Sequence, residues 1–185
     1  MSGPYAEASP AAAPGLARYP SIRAALILLG LGAAGAIAHA VLRFPLHLPG
    51  RHGLEWMALL VIARRLSPYP GAASLAACGA ALVSAIPPFG FAGPLAPLMY
   101  LVPGVLLDLL YDFAGARWRG SALALGLFAA LAHAARPLVG WNAAAFFGVH
   151  YGPLAQGLGY LLLMHLAFGL IGGVIGAQLW RLSRR

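Results

Sequence analysis

The sequence predicts an all-α, polytopic membrane protein: six transmembrane helices in one bundle, with both termini cytoplasmic. Three observations carry this expectation. Hydrophobic residues make up 61% of the chain and charged residues 9%, against roughly 25% charged in an ordinary soluble domain. The 185 residues leave room for five or six spans at about 20 residues each plus connections, and for no separate soluble domain. All twelve basic residues are arginine, giving a formal charge of +8. They stand singly or in pairs at the ends of apolar runs, a pattern that suits membrane topology better than nucleic-acid binding.

Residues 1–20 are rich in Ala, Pro and Ser and lack the charged start and apolar core of a signal peptide. They are expected to form a flexible cytoplasmic tail, leaving residues 21–185 as the transmembrane domain. Span one is Ile22 to Leu42. Gly30, Ala34 and Ala38 lie on one stripe of it and Gly32, Ala36 and Ala40 on another, and small residues four apart let helix backbones approach closely. One such face packs inside the bundle or docks on a partner.

The stretch HLPGRHGLE, from His47 to Glu55, is a polar island in this apolar chain. The two prolines and the glycines of FPLHLPGRHG, which overlaps it, forbid a continuous helix, so an ordered loop is expected. Span two, Leu54 to Leu66, is weak, because thirteen residues cover only about 20 Å of a hydrocarbon core about 30 Å thick. It crosses if Arg64 and Arg65 snorkel and the preceding loop dips inward.

Span three is Pro70 to Ile86, with Cys78 near its middle. As the single cysteine, Cys78 excludes an internal disulfide. The uncharged turn PPFGFAGP follows. Span four, Leu95 to Phe113, is interrupted at Pro103-Gly104 and ends with Asp108 and Asp112 on one face. A carboxylate within lipid is a functional candidate, but pairing with Arg117 and Arg119 or with Arg64 and Arg65 is the simpler account. Asp108, one turn deeper, would otherwise neutralise an arginine of a partner. Span five runs from about Ser121 to Leu138, followed by a long aromatic connection, VGWNAAAFFGVHYGP. Span six, about Leu154 to Leu182, holds His165 and a Gly169, Gly172, Gly173, Gly176 pattern.

Arginine counting tests this layout. Six crossings from an inside N-terminus put Arg18, Arg23, Arg64, Arg65, Arg117, Arg119, Arg181, Arg184 and Arg185 inside and Arg43, Arg51 and Arg136 outside. That satisfies the positive-inside rule. Removing span two would move the terminal arginines outside.

The same topology gathers polar residues at the external level: His39, His47, His52, Glu55, His133, Arg136, Asn142 and His150, with only His165 deeper. Phe89, Phe91, Trp56, Trp141, Phe146, Phe147 and Tyr151 surround that level. Singly these residues suit an interfacial belt. Together they suit an aromatic-walled pocket with a few polar groups. The candidate binding residues are therefore His39, His47, Arg51, His52, Glu55, Phe89, Phe91, His133, Arg136, Trp141, Asn142, His150 and Tyr151. His47, His52 and Glu55 match no strong zinc spacing, so histidines hydrogen-bonding an organic ligand are preferred to a metal site, and no cofactor is expected. No Walker, GxSxG, HExxH or dinucleotide-binding motif is present, and with it no internal energy source.

Six helices in about 180 residues, an Ala34-to-Ala38 stripe in helix one and the proline-glycine loop after it resemble the substrate-binding S component of energy-coupling factor (ECF) transporters. The resemblance covers Ile22 to Leu182. It implies capture of a vitamin-class small organic substrate near the outer face, under the loops after helices one, three and five. Here those loops are His47 to Gly53, Pro87 to Pro94 and Val139 to Pro153. It further implies docking through Gly30, Ala34 and Ala38 on a transmembrane coupling protein driven by two cytoplasmic ATPases, with toppling to release the ligand, in a cell membrane. Nickel and cobalt members begin with an MHIPDG-like segment, whereas this chain begins MSGPYAEA, which counts against a free metal ion. Some cobalamin-binding members ligate cobalt with a cysteine, which keeps Cys78 as a candidate ligand. No catalysis is expected. The rival readings are an intramembrane enzyme using the external histidines, with or without a metal, and a membrane scaffold packed through its glycine stripes.

Overall fold

The structure is a computed structural model that describes residues 19–41, 48–86 and 95–185, and it contains helices and no strand among them. Six helices longer than three turns form the bundle: α1 (Ile22–Val41), α2 (Gly53–Leu66), α3 (Ala72–Ser84), α4 (Ala96–Phe113), α6 (Ala122–Phe147) and α7 (Leu158–Leu182). A single turn, α5 (Ala116–Arg119), joins α4 to α6, and a 3-10 turn at Gly152–Gln156 precedes α7. Four of these, α1, α4, α6 and α7, are long and apolar enough to cross a membrane, while α3 is a shorter apolar helix. His47, Phe89 and Phe91 lie outside the described residues.

The weak second segment turns out to be the centre of the molecule. α2 packs mainly along α7 and also touches α1, α3, α4 and α6. Trp56, Met57, Leu60, Val61 and Ala63 are buried there. A helix enclosed by other helices does not have to span lipid with its own length, which is why fourteen residues suffice. Arg64 does not snorkel. It is 6% exposed and is held from all sides: its Nε lies 3.2 Å from Asp108 Oδ1, its Nη2 pairs with Asp112 and its plane covers the Tyr111 ring at 4.1 Å. Nη1 donates to the Ser67 and Tyr69 carbonyls at 3.2 and 3.1 Å.

Asp108 has a second task. The α3 N-terminus starts at Gly71, which offers no side-chain cap. Asp108, reaching across from α4, accepts from the backbone N–H of Ala73 (3.2 Å), from that of Ser74 (2.7 Å) and from the Ser74 hydroxyl (2.7 Å). It thereby satisfies donors that every helix N-terminus leaves open. Both aspartates thus answer to Arg64 within the chain, and Arg119 instead donates to the Tyr111, Asp112 and Ala114 carbonyls.

Elsewhere glycine and alanine set the helix separations. A Cβ at Gly32 would overlap the Ala76 carbonyl, one at Gly79 the Leu29 carbonyl, one at Gly172 the Gly53 carbonyl and one at Gly176 the Ala58 carbonyl. The two stripes of α1 part company here. Gly32 and Ala36 are buried against α3, whereas Gly30, Ala34 and Ala38 face outward, and nothing lies within 4 Å of a Cβ built on Gly30.

Two expected interruptions are absent. α4 runs through Pro103, which is fully buried, while Gly104 lets α3 come close at Ala73 and Ala77. α6 likewise passes buried Pro137 and continues to Phe147, so much of the expected connection is helix. It stops at Gly148, whose φ of 63° is left-handed, the common glycine ending of a helix.

Gly32→Ala is expected to lower stability by about 1–3 kcal/mol through overpacking, and Gly30→Ala to stay within about 0.5 kcal/mol, both read from thermal unfolding in detergent. Arg64→Gln is expected to cost about 3–5 kcal/mol, since it strands Asp108 and Asp112 without their cation, and equal melting temperatures for Arg64→Gln and wild type would refute that.

Candidate functional site

The site begins with a turn. Pro49-Gly50-Arg51-His52 leads into α2, with the Gly53 N–H donating to the Gly50 carbonyl (2.8 Å) and the Leu54 N–H to the Arg51 carbonyl (3.1 Å). Gly50 has φ 74°, and a Cβ there would press on His165 at 2.9–3.0 Å. Only glycine meets both demands, positive φ and close approach. The turn therefore tucks into the bundle, where His133 of α6 donates from Nε2 to the Gly50 carbonyl at 3.1 Å.

Four imidazoles meet at this place. The His52 ring centroid lies 4.7 Å from that of His133, 5.7 Å from His39 and 6.0 Å from His165, and His133 and His165 are 4.8 Å apart. The outer ring, His39, donates from Nδ1 to Glu55 at 2.7 Å. The inner ring, His165, donates from Nδ1 to the Leu161 carbonyl at 2.8 Å, one helical turn back. These bonds fix tautomers: His165 keeps Nε2 as an acceptor and His133 keeps Nδ1. Nδ1 of His133 and Nε2 of His52 are buried and meet no hydrogen-bond partner. Among the described residues no three His, Cys, Asp or Glu side chains form a group suited to a metal ion.

Depth differs from expectation. His133 is completely buried and Arg136 is 4% exposed, because α6 continues eleven residues past Arg136 instead of ending near it. His165, expected to stand apart, belongs to the same cluster. Arg136 lies 5.7 Å from the Tyr100 ring of α4, which also meets Trp56 of α2 edge-on at 5.1 Å. Topology placed the start of span four at the external level, so Tyr100 was within reach of the sequence, but an isolated tyrosine gave no signal.

His52 borders two cavities. One of about 210 Å³ lies against α1, α2 and α4, bounded by Ala38, His39, Glu55, Trp56 and Tyr100. The other, about 550 Å³, is bounded by Pro49, Met99, Arg136, His150, Tyr151 and His165. His39, His52, Glu55, Arg136, His150 and Tyr151 thus line one cavity or the other, while His133 supports the floor beneath them. Arg51 sits in the entry turn. Trp141 and Asn142 do not join them: both are exposed, and Asn142 donates to the Leu138 carbonyl of its own helix at 2.8 Å. Cys78 lines neither cavity.

The chemistry on offer is recognition by fixed donors and acceptors in an apolar shell. Burial raises the Tyr151 phenol above its ordinary value, opposed by the Arg136 charge, so it presents a neutral hydroxyl. Burial first, and the Arg136 charge second, push the His52 imidazole well below its ordinary value. No protein-family model, curated protein or solved structure matches this chain.

The His52 shift has a signed consequence. A neutral imidazole favoured in the fold adds stability that is fully present above the unfolded value of about 6.5 and is lost as pH falls below it. The melting temperature in detergent is expected to drop between about pH 6.5 and 5, and His52→Gln to flatten part of that slope. An unchanged slope in the variant would contradict the burial of a neutral ring.

Proposed function

We propose that this protein is the substrate-capture subunit of a vitamin-class uptake system in the cell membrane, of the ECF S-component kind. The observation that carries the reading is the cavity of about 550 Å³ at the histidine-bearing end of the bundle. Its size falls within the roughly 300–1,000 Å³ of small-molecule sites, and its mix of apolar wall and few convergent polar groups is their usual composition. His52, Arg136, His150, Tyr151 and His165 supply those polar groups.

In this reading all six long helices cross the membrane, both termini are cytoplasmic and the cavity opens outward. The substrate is a small organic molecule. Its acceptors face Arg136 and Tyr151, and its donors face the free lone pairs of the imidazoles. The subunit consumes no energy itself. It presents the outward stripe Gly30, Ala34 and Ala38 to a transmembrane coupling protein bearing two cytoplasmic ATPases. That stripe supports the reading because small side chains on a lipid-facing surface contribute little packing to lipid and much to a helix partner.

The test is purification from its own membrane and identification of any co-purifying small molecule by mass spectrometry. A vitamin or related heterocycle is expected at near-unit stoichiometry. Arg136→Gln and Tyr151→Phe are expected to weaken its binding about tenfold each, the worth of one good hydrogen bond to a charged or buried group. Ala34→Leu is expected to leave binding intact while abolishing co-purification with a coupling protein. A preparation that carries stoichiometric zinc or iron, or that binds no vitamin at micromolar concentration, overturns the proposal.

A further inference from the structure

We propose that a second cavity, at the arginine-bearing end of the bundle, binds a phosphate group, carried either by an anionic lipid or by a free phosphate. The cavity measures about 410 Å³ and lies where the C-terminal ends of α2, α4 and α7 come together. Arg64, Arg65, Arg119, Arg184 and Tyr111 line it. Four guanidiniums face only the two carboxylates of Asp108 and Asp112, both already engaged by Arg64. Of the chain's other two acidic side chains, Glu55 is bound to His39 at the far end and Glu7 lies outside the described residues. Counting side chains, a formal surplus of two positive charges therefore surrounds this space.

The arginines are oriented without being neutralised. Arg65 Nη1 donates to the Arg119 carbonyl at 3.1 Å and points to the Tyr111 hydroxyl at 3.4 Å. Arg119 donates from Nε to the Tyr111 and Ala114 carbonyls at 2.9 and 2.7 Å and from Nη2 to the Asp112 carbonyl at 2.6 Å. Its guanidinium also lies 5.4 Å from the Tyr111 ring, and that of Arg184 lies 4.4 Å from Trp180. Carbonyls and aromatic faces fix the planes of these forks but leave their charge uncompensated. Oriented guanidiniums match the tetrahedral oxygens of phosphate, which accept paired hydrogen bonds and bring the missing negative charge. Basic pockets between membrane helices recognise lipid headgroups by this chemistry.

The experiment uses the full chain in nanodiscs. Thermal unfolding is followed in phosphatidylcholine discs, in discs containing phosphatidylglycerol, and in phosphatidylcholine discs titrated with sodium phosphate against sodium chloride of equal ionic strength. Wild type is expected to be stabilised by phosphatidylglycerol if the source is lipid, or by inorganic phosphate if it is soluble, and either response supports the site. Arg65→Gln/Arg184→Gln is expected to lose that response roughly tenfold or more in apparent affinity. Arg117→Gln/Arg185→Gln removes two charges at the same end but outside the cavity, and is expected to retain it within about twofold. Should the first pair fail to fold, Arg184→Gln alone, on an exposed side chain, is expected to cost about fivefold. Equal losses in both double variants, or no wild-type response to either probe, overturn the proposal.

Discussion

One guanidinium ties the lower half of this molecule together. Arg64 stands at the end of the central helix, gathers Asp108 and Asp112 from α4 and the carbonyls leading into α3, and through Asp108 reaches the open N-terminus of α3. Taking such a charge out of water costs several kcal/mol unless opposite charge and hydrogen-bond acceptors surround it. Here the partners come from three different segments. The charge is tolerable only when α2, α3 and α4 are all in place, so the same interaction that is expensive when incomplete makes the arrangement of those helices specific.

The two ends of the bundle solve the problem of polar groups in an apolar protein in opposite ways. At one end most of the ionisable groups are imidazoles, held by single hydrogen bonds to backbone carbonyls, as at His133 and His165. At the other end they are guanidiniums, which cannot give up a proton and must be surrounded by carbonyls, carboxylates and aromatic faces. The histidine end leaves two cavities, one bordered by Glu55 and the other by Arg136, whereas the cavity at the opposite end is lined by four arginines.

Much of this was legible in the sequence, and the misses share a cause. Helix positions followed from runs of apolar residues, and α1, α2 and α7 begin or end within a few residues of expectation because Arg, Pro and Gly punctuate them. The proline-glycine loop was recognisable for the same reason. What sequence could not supply was enclosure. Pro103 read as a break and span five was ended at Leu138, yet Pro103 and Pro137 each forfeit a single hydrogen bond at a buried position that neighbouring packing sustains. Arg64 read both as a snorkelling residue and as one of four arginines within reach of Asp108 and Asp112; with more than forty positions between them, the sequence did not choose among the four. His165 read as solitary for the same reason: its companions come from α2 and α6. Of the two small-residue stripes on α1, periodicity alone did not say which one the bundle covers.

The helices also differ in length by a factor of about two, with thirteen residues in α3 and twenty-six in α6. At 1.5 Å per residue these are about 20 Å and about 39 Å, on either side of a hydrocarbon layer about 30 Å thick. Under the proposed six-span topology, no single bilayer thickness fits both flanks. That topology requires lipids to thin beside α3 or the whole bundle to lean, and each ångström of mismatch costs only a fraction of a kcal/mol. In that topology the angle at which the protein sits in its membrane is a soft coordinate, set by a balance that lipid composition or a helix bound along α1 is sufficient to move.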